Sequence, residues 1–183
     1  MPNRLRHTEP SQHALTKEVH IAHYWVLQGN PEKQWDRPAL LYTDPIVSWS
    51  VTGVSKEVEV GDGVVIWIAH RHPDQRGIYA MGKVVGEPRP GYPLDWGSPE
   101  RRAEPVPCVP LSIFWYVTHN PVTVPELKTS GFASHGILKM PRKTAYACTE
   151  AEFHAARDLV QNHGPIPAPA RPADAFDFWW NTV

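Results

Sequence analysis

The feature that most constrains the fold of this chain is Val64-Val65-Ile66-Trp67-Ile68, a run of five apolar residues directly after Gly61-Asp62-Gly63. A strand with one solvated face alternates apolar and polar side chains, and this run does not alternate. It therefore predicts a central strand covered on both faces, extending from Val58 to Ile68 and split by the glycine turn. The run is far shorter than the roughly 20 residues that span a bilayer, so we expect no membrane partner.

Two further strands are predicted next to this one. Tyr24 to Leu27 forms a short apolar stretch that ends in the turn sequence Gln28-Gly29-Asn30-Pro31, since the residue before proline disfavours helix. Residues 77–85 have the composition of an antiparallel partner. Within that partner, Gly77 and Gly82 predict a bulge or the close approach of another backbone, as the corners of a barrel require.

The rest of the chain alternates between irregular and regular stretches. The Pro-rich segments 31–57 and 87–110 predict irregular structure, and residues 111–118 predict one more strand. In the C-terminal third, Thr149-Glu150-Ala151-Glu152 matches a capping box, so a helix is expected to begin there and to end at Gly164-Pro165. Thr123 to Lys128 predicts a shorter helix with proline in its first turn.

Length and composition indicate one domain. The 183 residues, 42% of them hydrophobic, suffice for one core and are too few for two full domains. We expect a polar lead at residues 1–19, a domain at 20–164, and a Pro-rich linker with an aromatic tail at 165–183. The N-terminus lacks the apolar stretch of a signal peptide, and Cys108 and Cys148 lack CxxC spacing. Both observations favour a cytoplasmic protein with reduced, buried thiols.

Charge restricts how this chain can contact nucleic acid. A formal net charge of −1 does not suit the coating of nucleic acid, because non-specific binding needs many Lys and Arg residues to displace counterions. Any such contact must therefore be local. The candidate phosphate contacts lie in the polar loop after the central strand and in a later basic stretch: Arg71, Arg76, Lys128, Lys139, Arg142 and Lys143.

The order of several segments resembles the EVE domain, a branch of the PUA-like superfamily that also contains the YTH readers of methylated adenine. The resemblance covers about residues 22–162. It implies an α+β fold, a small mixed or antiparallel β-barrel of the PUA-like type flanked by short helices. The segments that carry it are residues 24–31, Trp49-Ser50-Val51, Val60-Gly61-Asp62, residues 77–84, and the ending from Lys139 to Val160.

The resemblance implies a pocket for a modified nucleobase, 5-methylcytosine among the candidates, that is swung out of DNA or RNA. The partner is then a nucleic acid, and the protein is a reader without chemistry, cofactor or metal. The resemblance also implies a second aromatic wall, and Tyr92, Trp96 and Trp67 are the three alternatives for it. By similarity, Gln28, Gly29 and Asn30 form the floor, Trp49 and Ser50 the wall, and Trp67, Tyr79 and Trp96 the further lining.

Recognition of a base requires a flat face for stacking and polar groups for the base edge. Trp49 offers the face, while Gln28, Asn30 and nearby main-chain amides offer the polar groups. One stacked base contributes about 1–3 kcal/mol, and its unstacking from the nucleic acid costs a few kcal/mol. The pocket alone therefore cannot bind tightly, and phosphate contacts must add to it.

Two other classes of function are left open by the sequence. ASCH domains, another PUA-like branch, include enzymes that hydrolyse acylated cytidine with a Lys, a Thr and a Glu. In that case Lys33, Lys56 or Lys83 must be buried beside a carboxylate. Alternatively, the aromatic tail segment Phe176 to Trp180 docks an effector protein, or it folds back over an exposed strand.

Overall fold

A mixed sheet organises the computed structural model, which describes residues 23–30, 48–91, 105–139 and 143–167. Within those residues, nine strands and three helices are present. The strands are β1 Tyr24–Gly29, β2 Ser48–Ser50, β3 Gly63–Ile68, β4 Gly77–Val84, β5 Arg89–Gly91, β6 Val106–Tyr116, β7 Val122–Thr123, β8 Ala145–Cys148 and β9 Ile166–Pro167. The helices are α1 Val124–Lys128, α2 Gly136–Lys139 and α3 Glu150–Asn162, and a 3₁₀ turn spans Pro73–Gln75.

The predicted central strand is confirmed. The sheet has the order β2-β6-β4-β3-β1-β8, and every residue of β3 is buried. β3 pairs in parallel with β1 and antiparallel with β4, the partner that the sequence predicted. β5 and β9 also pair with β6, and β7 pairs with β4.

Each face of the sheet carries its own hydrophobic core. Successive residues of β1 and β3 alternate between the two cores because side chains of a strand point to opposite faces in turn. Core 1 contains Trp25, Leu27, Trp49, Val64, Ile66, Ile68, Tyr79, Leu111 and Ile113 among others. Core 2 lies on the face that the helices cover and includes Val26, Val65, Trp67, Ile78, Met81, Leu127, Phe132, Ile137 and Phe153.

The sheet curls so that its two ends meet. β2 and β8 are the last strands at opposite ends of the strand order. Nevertheless Thr144, directly before β8, donates a hydrogen bond from Oγ1 to the carbonyl oxygen of Thr52, two residues after β2, over 3.1 Å. Core 1 is therefore enclosed by a half-barrel, with the helices on the outside, as the predicted α+β barrel requires.

Two glycines of β4 permit close contact between backbones, as the sequence predicted. A Cβ atom on Gly77 would collide with the carbonyl oxygen of Val122 in β7. A Cβ atom on Gly82 would collide with the backbone of β6, and the register of β4 against β6 shifts between Met81 and Gly82. Such a bulge increases the local twist of a sheet, which here favours the curl.

The beginning of β3 differs from the prediction. The structure has no strand from Val58 to Asp62, because Gly61 adopts a φ of +101°, which extended strands do not use. This turn places the buried carboxylate of Asp62 against three N–H donors. They are the backbone N–H of His23 at 3.0 Å, the indole Nε1 of Trp25 at 2.8 Å and the backbone N–H of Glu59 at 2.9 Å.

The region 87–110 was wrongly predicted as irregular throughout. It contains β5 and the first half of β6, which begins at Val106. Pro107 and Pro110 fit into β6 because only their carbonyl oxygens are needed there. These oxygens accept the N–H groups of Val51 at 2.9 Å and Val85 at 3.0 Å. Proline lacks a donor but not an acceptor, so such positions tolerate it.

Both predicted helices are confirmed. At the start of α3, Thr149 Oγ1 accepts the N–H of Glu152 at 3.2 Å, and Glu152 Oε2 accepts the N–H of Thr149 at 2.9 Å. After α3, Gly164 has a φ of +68°, which ends the helix. α1 carries Pro125 in its first turn.

Several predicted features lie outside the described residues. Of the predicted Pro-rich linker, Ile166 and Pro167 pair with Tyr116 and Trp115 as β9. In the described part of the chain, no helix has the length and apolar character needed to cross a membrane. The predicted segments and site residues that lie outside the described residues are residues 1–19, Lys33, Tyr92, Trp96, Arg142 and the tail from residue 168 onward.

Candidate functional site

The carboxyl ends of β1 and β3 lie side by side because these strands are parallel. Gly29 is opposite Ile68, and the N–H of Ala69 donates to the carbonyl oxygen of Gly29 over 2.8 Å. The chain then leaves β3 into the loop that contains Arg71. The predicted floor and the predicted basic loop are therefore neighbours at one edge of the sheet.

Hydrogen bonds also connect the predicted floor with the predicted wall. The N–H of Gln28 donates to the carbonyl oxygen of Thr144 over 2.8 Å. The hydroxyl of Thr144 donates to the carbonyl oxygen of Thr52, and Thr52 Oγ1 lies 3.0 Å from Ser50 Oγ. A continuous path thus joins the end of β1 to the end of β2, with Trp49 next to Ser50.

The pleat of the sheet divides the predicted site residues between its faces. Trp49 and Tyr79 belong to core 1, and Gly29 shares that face because it follows Leu27 by two residues and pairs with Ile68. Trp67 belongs to core 2, and Gln28, its partner in register, points to the same side. Trp49 exposes 3% of its surface, Tyr79 1% and Trp67 none. The structure therefore places Gly29, Trp49 and Tyr79 on the core 1 face and the Trp67 and Gln28 side chains on the opposite face.

The loop after β3 is held by two side chains. Tyr79 Oη donates to the carbonyl oxygen of Gln75 over 2.6 Å, and its ring centre lies 5.7 Å from that of His70. Arg76 donates from Nε and Nη2 to the carbonyl oxygen of His70, both over 3.1 Å. Arg76 thus closes the loop onto itself, while Arg71 is exposed within it.

The three described lysines among the predicted phosphate contacts lie in different parts of the fold. Lys128 and Lys139 are exposed at the ends of α1 and α2. Lys143 is exposed directly before Thr144, the residue that contacts Gln28. Of these three lysines, the connectivity places Lys143 beside the floor.

Sequence reasoning did not find Thr144 or Thr52. Neither residue belongs to a motif, and Thr52 lies 92 residues before Thr144 in the chain. Their contact exists only because the sheet curls. No local signal in the sequence points to it.

A second polar cluster lies between α2, β8 and α3. His135, Cys148 and Glu152 each bring one ligand-type atom within 4.8 Å of the others. His135 Nδ1 accepts the N–H of Ile137 at 3.2 Å, and Nε2 lies 3.1 Å from the carbonyl oxygen of Ala147, so the ring is neutral with its proton on Nε2. Burial lowers the pKa of His135 and raises the pKa of Cys148 to about 12. Since both ring nitrogens are engaged, we regard the cluster as a structural anchor.

The lysines required by the enzymatic alternative do not have the required environment. Lys56 and Lys83 are both exposed, and Lys33 lies outside the described residues. A lysine acts as a base near neutral pH when burial lowers its pKa. Neither exposed lysine has that burial.

Comparison with protein families identifies the domain. Residues 23–159 match the EVE domain. The chain belongs to the EVE domain family. The match contains β1 to β8 and most of α3, so the resemblance in the sequence is confirmed, and the EVE domain includes every described residue of the candidate site.

Solved structures share the fold of this EVE domain at low sequence identity, while no curated protein matches its sequence. A hypothetical protein from Leishmania major has 16% identity and a TM-score of 0.53, with 78% of this chain and 96% of that chain covered. Human THYN1, solved in complex with DNA containing 5-methylcytosine, has 16% identity and a TM-score of 0.52, with 80% and 100% covered. A Pseudomonas syringae protein has 18% identity and a TM-score of 0.51, with 74% and 98% covered. The PUA-like α+β fold is thereby confirmed.

Proposed function

We propose that this EVE domain recognises a modified nucleobase flipped out of DNA or RNA and does not alter it. The observation that carries the proposal is the hydrogen-bonded path that brings the end of β1 and the Trp49-Ser50 segment of β2 to one place. Membership of the EVE family supports it. So does the human THYN1 structure, in which a protein of the same fold is bound to DNA containing 5-methylcytosine.

The base would lie inside the curled sheet rather than on its surface. Trp49 is 3% exposed and packs within core 1, so a base can stack on its indole only after neighbouring core 1 side chains move aside. Gly29 faces the same core and has no side chain that a ligand would have to displace. The side chain of Gln28 points to the other face and its N–H is donated to Thr144, so we expect Asn30, the other polar residue of the predicted floor, to contact the base edge.

Phosphate contacts would supply the affinity that stacking alone lacks. Lys143 and Arg71 are exposed in the two segments that contact the end of β1. Each neutralised phosphate releases counterions, so binding would weaken as salt concentration rises. With a net charge of −1 over the chain, a few local contacts would have to provide this term.

The test of base recognition is a titration with oligonucleotides that are identical except for one base, unmodified, methylated, hydroxymethylated or glucosylated. We expect one modification to bind more tightly, by about tenfold to a few hundredfold, which is what 1–3 kcal/mol provides. Equal affinity for all oligonucleotides would contradict base recognition. Absence of binding to any of them would contradict the proposed function as a whole.

Trp49 should be replaced without emptying core 1. Trp49→Ala would remove a buried side chain at a cost of about 3–5 kcal/mol, so loss of binding in that variant could reflect unfolding. Trp49→Leu keeps more of the apolar volume than alanine does but removes the aromatic face, and Trp49→Phe keeps an aromatic face. We expect Trp49→Leu to lose the preference for the modified base and Trp49→Phe to retain part of it. Equal preference in both variants would remove Trp49 from the pocket.

The phosphate contacts have a matched control on the same sheet. Lys143→Glu should weaken binding to modified and unmodified oligonucleotides alike and reduce the salt dependence. Lys83 is also exposed but pairs with Gly63, at the opposite end of β3 from Ile68. Lys83→Glu makes the same change in charge, so similar losses in both variants would mean that only net charge matters.

A further inference from the structure

We infer that Thr144 is the positioning residue that sets the two halves of this site relative to each other. The inference rests on the proposed function. Thr144 would not touch the base. It would act through two segments, the end of β1 and the segment around Thr52, whose Oγ1 lies 3.0 Å from Ser50 Oγ at the end of β2.

Thr144 bonds to both segments through different atoms. Its carbonyl oxygen accepts the N–H of Gln28 at 2.8 Å, continuing the pairing of β1 with β8 by one residue. Its hydroxyl donates to the carbonyl oxygen of Thr52 at 3.1 Å. The first bond joins two neighbouring strands, β1 and β8. The second joins the segments next to β8 and β2, which are the two ends of the strand order.

The two bonds differ in what the side chain contributes. Any residue at position 144 supplies the carbonyl oxygen, whereas the donor to Thr52 is the side-chain hydroxyl, which an apolar residue lacks. Threonine is branched at Cβ, which restricts its χ1 angle and so fixes the direction of that donor. The hydroxyl is therefore the part of Thr144 that holds the distance between the floor and the wall.

The segment around Thr144 is itself held from core 2. The N–H of Lys143 donates to Tyr146 Oη over 2.8 Å, which closes the turn that contains Thr144. The Tyr146 ring lies 6.0 Å from the ring of His135, edge to face. His135 in turn bonds to the carbonyl oxygen of Ala147 in β8. The buried cluster at His135 thus supports the position of Thr144 indirectly, through Tyr146 and β8.

The experiment compares Thr144→Val with Thr144→Ser. Valine has nearly the same shape but no donor, and serine restores the donor without the methyl group. Thr129→Val is the matched control, because Thr129 also donates from its hydroxyl to a backbone carbonyl, that of Glu126 at 2.9 Å, at the exposed end of α1. The readouts are amide hydrogen exchange, thermal unfolding, and affinity for the preferred oligonucleotide.

We expect Thr144→Val to speed hydrogen exchange both at residues 28–30 and at residues 51–57, and to weaken oligonucleotide binding by about threefold to tenfold, as loss of one hydrogen bond allows. Thr144→Ser should restore both properties. Thr129→Val should change thermal unfolding as much as Thr144→Val does, without affecting either segment or binding. Unchanged exchange and affinity in Thr144→Val, or an equal loss of affinity in Thr129→Val, would overturn the inference. If the wild-type protein binds no oligonucleotide, the proposed function fails, and hydrogen exchange alone still decides the role of Thr144.

Discussion

The carboxylate of Asp62 accepts N–H groups from His23 directly before β1, from Glu59 before β3 and from the indole of Trp25. A buried carboxylate is costly unless such donors surround it, and charge-assisted hydrogen bonds are about twice as strong as neutral ones.

Gly77 contributes to the fold because it has no side chain. Its bare backbone lets β7 approach β4.

Asp62→Asn is expected to lower the free energy of unfolding by about 1.5–3 kcal/mol, the range for hydrogen bonds to charged groups. The reason is that an amide group replaces one acceptor oxygen by a donor that faces another N–H. Chemical denaturation measures the change. Asp74→Asn, on the exposed 3₁₀ turn, is the control and should stay within about 0.5 kcal/mol of wild type. A similar effect of the two substitutions would mean that Asp62 does not act through its buried donors.

Gly77→Ala is expected to destabilise the protein by about 1–3 kcal/mol, because the new methyl group overlaps the carbonyl oxygen of Val122 and forces β7 away. Gly136→Ala provides the comparison. There the new Cβ meets Tyr146 Cδ1 at 3.8 Å, an ordinary contact, and alanine suits a helix better than glycine. Denaturation midpoints of the two variants should therefore move apart. If Gly77→Ala is as stable as Gly136→Ala, β7 can shift without cost.

At the scale of elements, a cap and two side-chain bridges hold the ends of α3. Thr149 and Glu152 close the first turn of α3 onto the end of β8. At the other end of α3, His163 Nε2 lies 2.8 Å from Glu126 Oε1 in α1, and its Nδ1 lies 3.0 Å from the carbonyl oxygen of Asn120. Both ends of α3 are thereby tied to neighbouring segments, which keeps its apolar side on core 2.

Thr149→Ala should reduce the free energy of unfolding by about 0.5–2 kcal/mol, the usual cost of losing a helix cap. Thr149→Ser keeps the hydroxyl and should recover most of that loss. The two variants are compared by circular dichroism during thermal unfolding. Equal stability of the alanine and serine variants would show that the hydroxyl of Thr149 contributes nothing to α3.

For the whole molecule, core 1 and core 2 lie on the two faces of one sheet. Both contain residues of β3, so disruption of either core would expose one face of that strand. Three titratable groups around the helices, His135, Glu126 and Glu152, have pKa values below their ordinary values. Burial lowers the pKa of His135 by more than the charge of Glu152 raises it. Burial alone would raise the pKa values of Glu126 and Glu152, but hydrogen bonds from Thr123 and Thr149, together with nearby histidines, lower them overall.

We predict that stability is highest at neutral pH and above and falls on acidification. All three groups bind protons more readily in the unfolded chain, so their stabilising effect is lost as pH falls. The loss should begin with His135 below about pH 6.5 and continue with the glutamates below about pH 4.5, the ordinary values of these groups. Urea midpoints between about pH 8 and pH 4 measure this effect. A Glu126→Gln variant should lose less stability at the acidic end, and an equal loss would exclude Glu126 as a contributor.

Local patterns in the sequence determined the parts of this fold that depend on neighbours in the chain. The apolar run of β3 identified the central strand, Thr149 and Glu152 identified the start of α3, and Gly77 and Gly82 identified close backbone contacts. The Pro-rich composition of residues 87–110 predicts neither β5 nor the start of β6, because proline lacks the N–H group of a strand residue. Whether a proline fits a strand depends on which backbone groups its partners need, and the chain alone does not state that.

Only the tertiary structure decided how the candidate site is assembled. The pleat placed Gln28 and Trp67 on one face and Gly29, Trp49 and Tyr79 on the other, although all five had been predicted to line one pocket. The curl of the sheet brought Thr144 to Thr52, 92 residues away in the chain. Strand and helix signals arise from residues a few positions apart, whereas the face of a side chain and the meeting of two sheet ends depend on register and curvature, which are properties of the assembled sheet.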